Sequence, residues 1–281
     1  MMTYANPDCL VDTDWLADHL DDPDVRIVEV DEDTEAYRRG HIPGAVGWDW
    51  NADLHHAVRR DYVGQEELLE LLRAAGVDDG TTVVLYGGNN NWFAAYGYWL
   101  LKMRGFDSVR LLDGGRTKWE REDRPLTTEA PDLPEGDLSE LSHERPELRA
   151  LREQVLDRVG EDRTAFVDVR SPEEFSGEKL APEHLPQEQP YVGGHIPGAH
   201  NISWSKAARE DGSFRPVEEL RELYAEVLAT PEAVAYCRIG ERAAHTWFVL
   251  HELVGHERAR NYDGSWTEYG SMVGVPVERG P

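Results

Sequence analysis

Gly40-His41-Ile42-Pro43-Gly44-Ala45 returns as Gly194-His195-Ile196-Pro197-Gly198-Ala199, 154 residues further along the 281-residue chain. Before each copy lies an apolar run, Arg26 to Asp31 (RIVEVD) and Ala165 to Arg170 (AFVDVR). After each copy comes a second run that ends in tyrosine, Thr82 to Tyr86 (TVVLY) and Ala233 to Tyr236 (AVAY). A helix-like stretch follows each tyrosine, over 92–104 and 241–254. Then come Val109 to Gly115 (VRLLDGG) and Ala259 to Ser265 (ARNYDGS). Four blocks in the same order at nearly the same spacing describe one structural unit used twice.

Each unit reads strand, loop, helix, strand, helix. The continuous apolar run Val83-Val84-Leu85 suits a parallel strand covered on both faces, and strands alternating with helices imply right-handed crossovers. The fold class is therefore α/β, with two domains that are each a small parallel sheet flanked by helices. Residues 1–125 form the first domain and 146–281 the second. Residues 126–145, rich in Pro, Glu, Asp and Ser without hydrophobic period, read as a linker. Pro146 suits a first helical turn and predicts a helix over 147–159. Residues 178–191 have no counterpart in the first half and read as an inserted loop.

The composition carries 55 acidic against 29 basic residues, a formal net charge of -26 spread along the whole chain. Lysine occupies only positions 102, 118, 179 and 206, so arginine supplies the other basic residues. Self-repulsion of this size weakens a compact state until salt screens it, a pattern found in cytoplasmic proteins of salt-accumulating halophiles. No basic stripe exists to meet nucleic-acid phosphates. No apolar run approaches the roughly 20 residues that span a bilayer, and the N-terminus lacks the pattern of a signal peptide. Two cysteines, Cys9 and Cys237, argue against a disulfide framework and fit a reducing compartment. A cytoplasmic location, with no membrane and no nucleic acid as partner, is the expectation.

Doubly wound sheets bind ligands outside the carboxyl ends of their strands. In the second half that place holds Cys237-Arg238-Ile239-Gly240-Glu241-Arg242. A cysteine between a strand and a helix start lies near unpaired amides that stabilise negative charge. Those amides, with the Arg238 and Arg242 guanidiniums, are expected to lower the thiol pKa and expose a nucleophile. Gly240 permits the backbone curvature that turns several N–H groups toward one point. A buried cysteine acting as a small hydrophobe is the competing reading, and it suits Cys9. His41 and His195 share one repeat position, and His41 belongs to the half without a nucleophile, so both read as structural. Tyr86, Tyr236 and the tryptophans, among them Trp92, Trp99 and Trp247, read as packing residues. Asp168 and Arg170 are expected to pair and brace the loop.

These motifs resemble tandem rhodanese domains, and Cys-Arg-Ile-Gly-Glu-Arg is similar to the active loop of microbial thiosulfate sulfurtransferases. The marks are Asp168-x-Arg170, the second Gly-His-Ile-Pro-Gly-Ala and Asp263-Gly-Ser-Trp266, and the resemblance covers essentially the whole chain. It implies that Cys237 carries sulfur as a persulfide, taken from thiosulfate and passed to cyanide or a thiol, with no metal or cofactor. It also implies that Arg238, Ile239, Gly240, Glu241 and Arg242 form the loop that meets the substrate. The first domain is then a degenerate copy, with Gly87 opposite Cys237 and neither thiol nor guanidinium in Gly87-Gly88-Asn89-Asn90-Asn91. Some relatives use an arginine shortly after the Asp-x-Arg strand to hold thiosulfate. Here the stretch Ser171-Pro-Glu-Glu-Phe175 has none, which leaves Arg238 and Arg242 to bind the anion.

A 3-mercaptopyruvate sulfurtransferase is disfavoured by Arg238, because its loop carries small or neutral residues there. A cysteine phosphatase places five residues between cysteine and arginine, whereas Arg242 follows Cys237 after four. A non-enzymatic sulfur carrier that relays persulfide to a partner is the third reading. The sequence does not indicate the oligomeric state.

Overall fold

A computed structural model describes residues 3–181 and 188–281. Six residues of the expected inserted loop, 182–187, lie outside the described residues. The chain forms two compact units. One comprises Asp8–Arg145 with Arg209–Phe214, the other residues 3–7, Pro146–Ala208 and Arg215–Pro281.

The first unit holds a five-stranded parallel sheet of β1 (Leu10–Val11), β2 (Val25–Asp31), β3 (Ala45–Asp49), β4 (Thr82–Tyr86) and β5 (Val109–Leu112), in the order β1-β5-β4-β2-β3. The second holds four parallel strands, β6 (Thr164–Asp168), β7 (His200–Asn201), β8 (Glu232–Tyr236) and β9 (Ala259–Asn261), in the order β7-β6-β8-β9. The register repeats between units: Glu29 stands opposite Tyr86, and Asp168 opposite Tyr236. β8 is buried at all five positions, as an apolar strand covered on both faces must be. Ile27, Val84, Tyr86 and Trp119 anchor the first core; Phe166, Val234, Tyr236 and Trp266 anchor the second.

Three sequence expectations meet a different structure. Residues 126–145 do not hang free but run along the first unit, with Leu138 and Leu141 buried. Their first residues pair with the repeated turn: Thr127 bridges His41 just as Glu278 bridges His195 in the second unit. The start of the expected linker is thus the closing arm of the unit, and a short isolated bridge leaves no periodicity in sequence. The helix predicted over 147–159 is split into a 3-10 turn, Pro146–Leu148, and a helix, Arg152–Leu156. Ala150 N–H donates to Asn261 O at 2.9 Å, and that edge pairing with β9 holds the chain extended between them. The helix starting at Glu241 ends at Phe248 and continues to Leu253 as one wide π turn.

The same brace closes both units. The Tyr86 hydroxyl accepts the Ile42 N–H at 3.0 Å and bonds to Glu29; the Tyr236 hydroxyl accepts the Ile196 N–H at 3.1 Å and bonds to Asp168. A guanidinium then clamps each carboxylate to the first glycine of the repeated turn. In the second unit it is Arg170, which binds Asp168 at 2.5 and 2.9 Å and Gly194 O at 2.7 Å. In the first unit Arg116 does this, at 2.5 and 2.6 Å to Glu29 and 2.7 Å to Gly40 O. Removing either tyrosine hydroxyl strands a buried N–H. Tyr86→Phe and Tyr236→Phe should each therefore cost about 1–3 kcal/mol in urea unfolding, beyond what loss of one surface hydroxyl costs. A change within about 0.5 kcal/mol for both would show that the brace adds nothing.

Candidate active site

The loop between β8 and the helix Glu241–Phe248 is held from beneath by the segment after β9. Trp266 N–H donates to Cys237 O and Thr267 N–H to Arg238 O, each at 3.0 Å, and Asn261 Nδ2 donates to Gly240 O at 3.1 Å. Gly240 has φ +99, and a Cβ there would lie 2.4 Å from Asp263 Cα, so no other residue fits this turn. The turn brings the Gly240 N–H to 3.1 Å from Cys237 Sγ.

The thiol is fully buried, and its other close neighbour is a carboxylate, Glu241 Oε2 at 3.2 Å. This corrects the expectation of a lowered pKa. Burial first, and then the Glu241 charge, push the Cys237 thiol up from 9.0 to about 11, against the downward pull of Arg242 and the Ala243 N–H. With the proton on sulfur, the thiol donates to Glu241.

Two loop residues expected to meet an anion are placed otherwise. Arg242 gives both terminal nitrogens to Glu174, at 2.9 and 3.1 Å, and its Nε lies 3.7 Å from Glu241 Oε1. Its charge is paired with carboxylates and also acts on the sulfur. Glu241, expected among the groups meeting the donor, instead turns its carboxylate onto the thiol. Arg238 is 1% exposed, and within the loop only Ile239 is partly exposed. Asp168 and Arg170 do pair, both fully buried, and the Arg170 guanidinium lies 4.8 Å from the Trp266 ring, one residue beyond the loop's support at Ser265. His195 Nδ1–H donates to Phe175 O and the imidazole stacks on the Phe175 ring, and His41 does the same with Tyr37. Both are held as structural groups.

Ser265 and Glu174 were not singled out by sequence. Ser265 Oγ accepts the Cys237 N–H at 3.0 Å, donates to Tyr262 O at 2.6 Å and lies 4.0 Å from the sulfur. It stands at φ +51, the conformation of its repeat partner Gly115. Glu174 is the third residue of a capping box opened by Ser171, a legible signal, but nothing local announced that it also binds Arg242.

The equivalent loop of the first unit has no room for a thiol. Gly87 takes the place of Cys237, and a Cβ there would lie 2.5 Å from Val30 O. Asn89, Asn90 and Asn91 are all left-handed, a conformation asparagine tolerates better than most residues. The Asn91 side chain fills the space, accepting Gly87 N–H at 3.0 Å and donating to Leu112 O at 2.6 Å.

The sequence profile of the rhodanese-like domain matches residues 12–122 and again 151–272. The chain belongs to the rhodanese family. Relatives align along its whole length. A Mycolicibacterium smegmatis protein named "Putative thiosulfate sulfurtransferase" is 54% identical over 278 residues, covering 98% of this chain and 99% of that one. "Sulfur carrier protein TtuD" of Thermus thermophilus is 50% identical over 284 residues, covering 99% of both. A Haloferax volcanii protein, also named "Putative thiosulfate sulfurtransferase", is 50% identical over 284 residues, covering 99% of this chain and 98% of that one. Among solved structures, the anaerobic ergothioneine biosynthesis enzyme of Chlorobium limicola superposes with a TM-score of 0.84 at 24% identity, covering 100% of this chain and 72% of that one, and so shares the fold. No helix among the described residues is long and apolar enough to cross a membrane.

A buried thiol of raised pKa makes folding stability depend on pH. A thiol that keeps its proton more tightly when folded adds stability below its unfolded pKa. That contribution is lost as pH rises from about 9 toward about 11. Across that interval the wild type should lose about 2–3 kcal/mol more stability than Cys237→Ser, from a two-unit shift at 1.4 kcal/mol each. Parallel losses in urea unfolding would mean that the folded thiol is not shifted.

Proposed function

We propose that the protein is a thiosulfate sulfurtransferase that carries sulfane sulfur as a persulfide on Cys237. The observation that supports this most is the second loop itself: a buried sulfur that receives the Gly240 N–H at 3.1 Å, where the first loop has a glycine and no room. Backbone donors aimed at a sulfur stabilise the anion that forms there during group transfer. Cys237 attacks the outer sulfur of thiosulfate, sulfite leaves, and a thiol or cyanide then takes the sulfur, following the logic of thiol–disulfide exchange. We assign the Arg238 guanidinium, which follows Cys237 directly in the loop, to the sulfonate end of the donor.

Thiosulfate:cyanide turnover should vanish in Cys237→Ser and persist in Cys9→Ser. In Arg238→Gly the ratio of thiosulfate to mercaptopyruvate efficiency should fall about tenfold, for about 1.4 kcal/mol of lost differential binding. An unchanged ratio would assign Arg238 to holding the loop rather than choosing the donor. The printed name of the Thermus thermophilus relative favours a second reading, in which Cys237 hands its persulfide to a protein acceptor. Transfer to a protein thiol faster than to cyanide would favour it.

The surface charge supports a cytoplasm rich in salt. With -26 formal charges, repulsion sums over the whole surface, whereas loop contacts are short-range and buried. Thermal midpoint and activity should both rise from about 0.1 M to about 2 M potassium chloride, as the Debye length falls several-fold. A salt-insensitive melting curve with steadily falling activity would contradict a halophilic protein.

A further inference from the structure

We propose that Glu241 is a catalytic residue that takes the Cys237 proton as the sulfur attacks and returns it to the departing sulfite. The inference rests on Cys237 being the sulfur-bearing nucleophile.

A carboxylate is an unexpected neighbour for a site that receives a dianion. Glu241 is 1% exposed, and its Oε2 is 3.2 Å from a sulfur with no exposed surface. The contact is a feature of the fold: the residue at the same place in the first unit, Asn91, also reaches back across its loop, to the Gly87 N–H. Where the backbone offers a donor the repeat uses an amide oxygen, and where it offers a thiol it uses a carboxylate. Arg242, 3.7 Å from Oε1 and bound to Glu174, keeps positive charge beside Glu241 whichever partner holds the proton. The other charges near the pair are already matched, Arg170 to Asp168 and Arg149 to Asp263. Arg238 and the neutral, fully buried His245 complete the titratable groups of the loop and its helix.

A thiol this buried is a poor nucleophile unless its proton leaves, and the Glu241 carboxylate is the base in contact with it. Transfer to Glu241 moves one negative charge from carboxylate to sulfur, where the Gly240 and Ala243 amides meet it. The pair's total charge is unchanged, but thiosulfate no longer faces an ionised carboxylate. In the balanced step the sulfur's electron pair forms the new S–S bond to the outer sulfur of thiosulfate. The old S–S bond breaks with its pair on the sulfite sulfur. The proton on Glu241 passes to a sulfite oxygen, so thiol and thiosulfate become persulfide anion and hydrogen sulfite.

The test is the pH dependence of single-turnover loading with thiosulfate, followed by quenched intact mass from about pH 6 to about pH 9.5, below the thiol's own titration. With an internal base, the wild-type rate should be flat across this range. Glu241→Gln should rise about tenfold per pH unit, because only free thiolate then reacts, and should be at least tenfold slower than wild type at pH 6. Glu241→Asp should keep the flat profile at a reduced rate, and it decides the matter with the wild type if the glutamine variant does not fold. A wild-type rate that climbs tenfold per unit, with Glu241→Gln faster at every pH, would make Glu241 only a charge that raises the thiol and overturn the proposal. Absence of any sulfur on Cys237 in the wild type would overturn the sulfurtransferase reading beneath it.

Discussion

A buried carboxylate, clamped by a guanidinium to the first glycine of a repeated turn, is the constraint on which both units rest. Charges taken out of water are tolerated when paired and hydrogen-bonded, and here tyrosine, acid, arginine and glycine carbonyl bond to one another. Removing the acid or the arginine would leave an unmatched buried charge, and removing the tyrosine hydroxyl an unmatched N–H. The two units reach this arrangement differently. In the second, Arg170 comes from the end of β6 and lies over Trp266; in the first, Arg116 comes from the position equivalent to that tryptophan. The interaction has been kept while its residues moved, which is the behaviour of a structural requirement.

Above that brace the units diverge. The second loop leaves space for a side chain at Cys237 and surrounds it with the Gly240 N–H, Ser265 and Glu241. The first fills the same space with Asn91 and closes it at Gly87. One scaffold therefore supports a reactive loop and a sealed one, and the difference lies in which side chain crosses the loop.

Much of this was legible in sequence because the repeat is strict. Order, spacing and the apolar runs located β2, β4, β6 and β8 but not the edge strands β1, β3 and β7, and the cysteine after β8 located the loop. What sequence did not disclose depends on distance across the fold. The pairing of Arg242 with Glu174 joins residues 68 apart. The raised pKa of Cys237 follows from burial and from Glu241 four residues on, so local basic character pointed the wrong way. The closing arm at Thr127 escaped notice because a single bridge has no period to read.

Peptide-level mass mapping after incubation with thiosulfate tests the central claim most directly, since the chain's two cysteines compete as internal controls. One added sulfur on the peptide containing Cys237, lost on treatment with cyanide and absent from the peptide containing Cys9, is the predicted result. Sulfur on Cys9, or on neither cysteine while turnover proceeds, would contradict it.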